Sequence, residues 1–74
     1  MLLDLSEIIY LRKLILDNFD EKLHVHDTCG GQYFTLDTQI DGINTFINQY
    51  LNKNKLYAKF SDDKLSFTVE QIQN

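Results

Sequence analysis

Proline and tryptophan are absent from the 74 residues, and Ala58 is the only alanine. Isoleucine, asparagine, lysine and aspartate are common instead, a bias that fits an AT-rich bacterial genome. The single cysteine, Cys29, cannot form an internal disulfide, which fits a reducing cytosol. No run approaches the roughly 20 apolar residues that a membrane-spanning helix needs, so no membrane partner is expected. No basic region precedes Leu2-Leu3, Asp4 follows at once, and no small-residue cleavage site comes after, so no secretory signal is read. The expected location is cytoplasmic.

Positive charge is also scarce. Seven Lys and Arg face eleven Asp and Glu, for a formal net charge of −4. Lys53, Lys55, Lys59 and Lys64 cluster in one half, but Asp62, Asp63 and Glu70 lie among them. A phosphate backbone repels such a chain unless it keeps a basic patch, so nucleic acid is disfavoured as a partner. With 43% hydrophobic residues the composition is globular rather than disordered. Residues 1–74 make one domain with one core. A chain this short buries only about 60% of the surface that its unfolded form exposes, so stability is expected to be modest.

Apolar residues at helical spacing, Leu5, Ile8, Ile9, Leu11, Ile15, Leu16 and Phe19, predict a helix from about Leu5 to Phe19. Asp4 followed by Glu7 resembles a capping box. The stripe is broad enough that more than one side of the helix can be covered. Residues 22–28 and 32–37 alternate and read as strands, with Gly30-Gly31 between them as a type I′ turn. That turn sets Asp27 opposite Phe34, His26 opposite Thr35 and Val25 opposite Leu36, with all apolar residues on one face. A second helix is predicted from about Gln39 to Asn52, capped by Thr38 or Asp37. A second hairpin follows, with Asp62-Asp63 as its loop and the pairs Phe60/Leu65, Ala58/Phe67 and Leu56/Val69. Residues 71–74 are expected to fray. The fold class is α+β: two helix–hairpin units (αββαββ) and one four-stranded, mainly antiparallel sheet with both helices on one face. Strand order stays open.

One segment breaks the pattern. Asp27 has the parity of Leu23 and Val25 and so falls on the helix-facing side, where a carboxylate is costly unless paired or near the rim. Cys29 and Gln32 share that facing. A cluster of Asp, Cys and Gln where apolar groups are expected marks residues 27–32 as a candidate binding segment, comprising Asp27, Cys29, Gly30, Gly31 and Gln32.

The stretch from His24 to Phe34 resembles the RDAC family, small bacterial proteins of unknown function. The family takes its name from Arg-Asp-Ala-Cys, followed by Gly-Gly-Gln and an aromatic residue. Asp27, Cys29, Gly30, Gly31, Gln32 and Phe34 match. His26 stands in the arginine position and Thr28 in the alanine position. The likeness covers about ten residues and implies no known activity.

Three chemistries compete here. A reactive thiol at Cys29 needs a nearby cation, but His26 has the opposite parity and Asp27 would raise the thiol pKa. A metal site could use His24, His26 and Asp37, though this spacing is not a zinc framework. A binding surface could use the polar sheet face, which carries His24, His26, Thr28, Tyr33, Thr35, Tyr57, Lys59, Ser66, Thr68 and Glu70; His24, His26, Tyr33 and Tyr57 are its prime candidates. No catalytic constellation is legible and no cofactor is implied. The leading expectation is a non-enzymatic interaction module that binds a protein partner or itself. The alternative is a small thiol- or metal-dependent site on the Cys29-Gly30-Gly31 hairpin.

Overall fold

The first helix forms where its spacing places it. The computed structural model describes residues 3–28 and 31–72, and α1 spans Leu5–Phe19. The Asp4 carboxylate accepts from the Glu7 N–H and from the Ser6 hydroxyl, both at 2.9 Å. These bonds hold the Asp4 carboxyl below the usual carboxylate range. Asp20 closes the helix in the left-handed conformation, with its N–H on the Leu16 carbonyl.

Four strands follow the sequence order β1 (Leu23–Thr28), β2 (Gly31–Leu36), β3 (Leu56–Phe60) and β4 (Ser66–Gln71), with α2 (Ile43–Asn52) between β2 and β3. They form one antiparallel sheet in the order β1-β2-β4-β3. The hairpins therefore join through β2 and β4, at Phe34/Phe67 and Thr35/Ser66. The rings of Phe34 and Phe67 stack at 5.0 Å and lie at the centre of the core. Leu23, Leu36, Leu56, Ala58 and Val69 from one face of the sheet close on Ile8, Leu11 and Ile15 of α1 and Ile43, Ile47 and Leu51 of α2. Both helices thus cover the same face, with α1 over β1 and α2 along β3.

Both hairpin registers differ from the expected ones by two positions. In the first, Asp27 opposes Gln32 and Val25 opposes Phe34. Thr28 pairs with Gly31, so Gly31 is the first residue of β2, at φ 146°, and not part of the turn; residues 29 and 30 lie outside the described residues. A two-residue slip keeps every facing, so alternation cannot choose between the registers. Pairing chemistry can. The observed register replaces a carboxylate opposite a core phenylalanine with a polar Asp27/Gln32 pair and sets Val25 against Phe34. In the second hairpin Phe60 opposes Phe67, with ring centroids 4.8 Å apart, and Ala58 opposes Val69. Its connection is wider than Asp62-Asp63. The Asp63 carboxylate accepts from Ser61 Oγ and the Leu65 N–H, and Lys64 turns the chain at φ 60°. Gln71 still belongs to β4, and the Ile72 N–H bonds the Lys55 carbonyl, so the strand outlasts its expected end at Glu70.

The second helix starts later than predicted, at Ile43 instead of Gln39. The two expected caps are committed elsewhere. Thr38 donates its N–H (3.0 Å) and its hydroxyl to Glu21, and Asp37 bonds His24. Gly42 becomes the N-cap in the left-handed conformation at φ 86°, with no side-chain bond to the helix. The second helix has another role in the sheet. Asn48 Oδ1 accepts the Ala58 N–H at 2.7 Å and so satisfies a donor on edge strand β3.

Candidate functional site

Burial fades along β1. Leu23 is buried, Val25 is half-buried and Asp27 is exposed. Asp27 keeps the predicted parity, but it sits at the wet end of the strand instead of under the helices. Gln32 Nε2 lies 3.4 Å from Asp27 Oδ1, and Gln32 Oε1 accepts the Leu3 N–H at 3.1 Å. Leu3 is itself buried in the core. The segment therefore fastens the residues before α1 to the hairpin. Cys29 and Gly30 lie outside the described residues, and with them the thiol reading.

The outer sheet face carries the two histidines as expected. His24 Nε2 donates to Asp37 Oδ1 at 3.0 Å, in an exposed pair. His26 turns away from that pair. Its ring stacks on Tyr33 at 4.6 Å and 11°, and its Nε2 is 2.9 Å from Thr35 Oγ1. His24, His26 and Asp37 are thus not gathered. Among the described residues no three His, Cys, Asp or Glu side chains come together to hold a metal ion. Beside the stack, Tyr33, Lys59, Ser66 and Thr68 rim a shallow depression of about 360 Å³. Tyr57 stands apart from it on edge strand β3, opposite Glu70.

The largest departure from the expected burial lies on α1. Of its predicted apolar stripe, only Ile8, Leu11 and Ile15 are buried. Leu5 is 72% exposed, Ile9 56% and Leu16 47%. At 100° per residue these three form a second stripe, turned roughly 100° from the first, with Arg12 between Ile9 and Leu16. The breadth of the sequence stripe was the signal for this surface, and only burial shows which half is free. On the other flank Tyr10 rests on Tyr50 at 5.7 Å, above a groove of about 280 Å³ between the helices. Burial there pushes the Tyr50 hydroxyl pKa up, and the nearby Glu7 carboxylate adds to the effect.

No family model matches the chain, and no curated protein or solved structure matches it either.

Proposed function

We propose that this chain is a non-enzymatic interaction module that binds a protein partner through the outer face of α1. In this reading the RDAC-like segment seats the helix and carries out no reaction. The observation that carries it is the second apolar stripe. A single helix leaves Leu5, Ile9 and Leu16 in water on one side while its other side supplies the core. Contiguous apolar surface of this kind marks an interaction site more often than scattered exposed side chains do. The hairpin supports the reading from beneath, because Gln32 and Leu3 fix the start of the helix against β2. A depression as shallow as the one beside Tyr33 offers a reaction little shelter from water.

The test is in-cell cross-linking read by mass spectrometry. Wild type should give intermolecular cross-links from Lys13, which lies beside the stripe. A variant carrying Leu5→Gln, Ile9→Gln and Leu16→Gln should lose them at an unchanged denaturation midpoint. Cross-links that are absent from wild type, or that persist in the variant, would overturn the reading.

A further inference from the structure

The outer face of the sheet, away from the helices, carries a row of side chains across all four strands. His26 pairs with Tyr33, Phe34 pairs with Phe67 and so sets Tyr33 beside Thr68, and Thr68 pairs with Lys59. His26 is anchored by Thr35 and stacks on one face of the Tyr33 ring. The strand order turns the ring's other face toward β4, where the depression of about 360 Å³ lies. Tyr33 and Lys59 therefore stand as two walls, with Thr68 and Ser66 as the floor between them. Neighbouring strands lie about 4.8 Å apart, so the walls rise from backbone roughly 10 Å apart. A flat ring that touches both walls at van der Waals distance takes up about 7–8 Å. One ring fits, and a stack of two does not.

Charge and hydrogen bonding choose among flat groups. An open tyrosine face accepts an aromatic ring or a cation. The Lys59 ammonium opposes a cation, and it is not neutralised, since the only ion pair among the described residues is His24–Asp37. Lys59 is also the only lysine or arginine among the outward residues of the strands, and Glu70 is the next outward residue along β4. One anionic group is matched there, and a chain of phosphates is not. The floor offers two hydroxyls, each able to donate and to accept, which suits the mixed edge of a heterocycle. We propose that Tyr33 and Lys59 clasp a single nucleobase-like ring, carried by a small molecule with one anionic group, as in a nucleoside monophosphate. This site lies on the opposite side of the sheet from α1 and stands whether or not that helix binds a partner.

The probe is adenosine monophosphate, titrated into the isotope-labelled full chain and followed by amide NMR shifts. The shifts should centre on Tyr33, Lys59 and Thr68 and saturate with a Kd below about 1 mM. Tyr33→Ala should weaken binding at least about fivefold, and Tyr33→Phe should keep it, because the ring face and not the hydroxyl makes the contact. Lys59→Ala should weaken adenosine monophosphate more than it weakens adenosine, because only the first carries the charge. Tyr33 and Lys59 are both exposed, so these variants should fold as wild type does. Lys59→Ala tests the slot even if Tyr33→Ala disturbs the sheet. Equal weakening of the two ligands by Lys59→Ala would overturn the clasp. No saturable shift at about 10 mM ligand would overturn the site itself. So would equal binding of ribose phosphate, which marks a simple anion site, or of tetramethylammonium, which marks a cation–π site. A single-stranded oligoadenylate that binds more than about 100-fold tighter, with steep salt dependence, would replace the small molecule with a nucleic acid.

Discussion

Glu21, just past the end of α1, holds Thr38 at the far side of the first hairpin. One carboxylate oxygen accepts the Thr38 N–H at 3.0 Å and the Thr38 hydroxyl, and the other accepts the Lys22 N–H. This is the one charged residue that the fold buries among the described residues. Its bonds tie the entry to β1 to the exit from β2. Removing the acceptor leaves part-buried donors unpaired. Glu21→Ala is therefore expected to cost about 1–3 kcal/mol, and Glu21→Gln less, because an amide oxygen keeps part of the bonding. Urea midpoints of the three proteins check this.

The same residue sets a pH dependence. Burial alone would raise the Glu21 pKa, but the bonds from Thr38 and Lys22 outweigh it and hold the carboxyl below the ordinary glutamate range. The folded state thus binds this proton less readily than the unfolded chain. The stability it contributes is fully present above the ordinary range and is lost as pH falls through the lowered value. Asp4 and Asp63, each bonded to nearby backbone N–H groups, act in the same direction. Glu7, raised by desolvation and by the Asp4 charge, acts in the other. Stability should fall on acidification below about pH 5, and Glu21→Ala should flatten that fall. An equal slope in both proteins would move the effect to other groups.

Edge strand β3 depends on a helix side chain. Asn48 accepts the Ala58 N–H, and its own Nδ2 donates to the Asn44 carbonyl one turn back. Asn48→Leu leaves that strand amide without its partner and is expected to cost about 1–3 kcal/mol. Faster hydrogen exchange of the Ala58 amide in the variant is the specific readout. Unchanged exchange there would show that the edge is protected by other means.

The faces of all four strands were legible from alternation, and α1 from its spacing and its Asp4 cap. The registers were not. A slip of two positions leaves every side chain on its predicted face, so the choice rested on contacts such as Phe60 on Phe67 and His26 on Tyr33, which period-two reasoning does not weigh. The start of α2 was misplaced for a long-range reason. Thr38 and Asp37 look like caps locally, but Glu21 and His24 claim them from 17 and 13 residues away.

Two glycines test the turns that this folding requires. Gly31 at φ 146° and Gly42 at φ 86° lie where side-chain-bearing residues are strained, although an added Cβ at either meets nothing within 4 Å. Gly31→Val and Gly42→Val are each expected to cost about 1–3 kcal/mol from backbone strain alone. An unchanged denaturation midpoint in either would show that the chain relaxes around the glycine at no cost.

Asp27 separates the sequence expectation from the folded arrangement. A carboxylate under the helices would gain stability on conversion to leucine, because an unfavourable burial would be relieved. Asp27 is instead exposed, and among the described residues its side chain has only a long contact to Gln32. Asp27→Leu should therefore move stability by no more than about 0.5 kcal/mol, as at other open surface positions. A clear gain would mean that the residue is shielded in solution.

The two apolar stripes of α1 make the sharpest contrast, because they share one helix and one set of residue types. Leu11 and Ile15 have no exposed surface, and their neighbours come from both the sheet and α2. Truncating Leu11 to alanine removes transfer free energy and leaves a cavity, so a loss of about 2–5 kcal/mol is expected. Leu16 is 47% exposed and Leu5 72%, and neither belongs to the core cluster or to the residues packed against it. Glutamine is a good helix former, so Leu5→Gln and Leu16→Gln keep the helix and give up little burial. Each should change the urea midpoint by less than a quarter of the Leu11→Ala shift. If Leu5→Gln or Leu16→Gln instead destabilised the isolated domain as much as Leu11→Ala, the second stripe would be part of the core. It would then be unavailable to any partner.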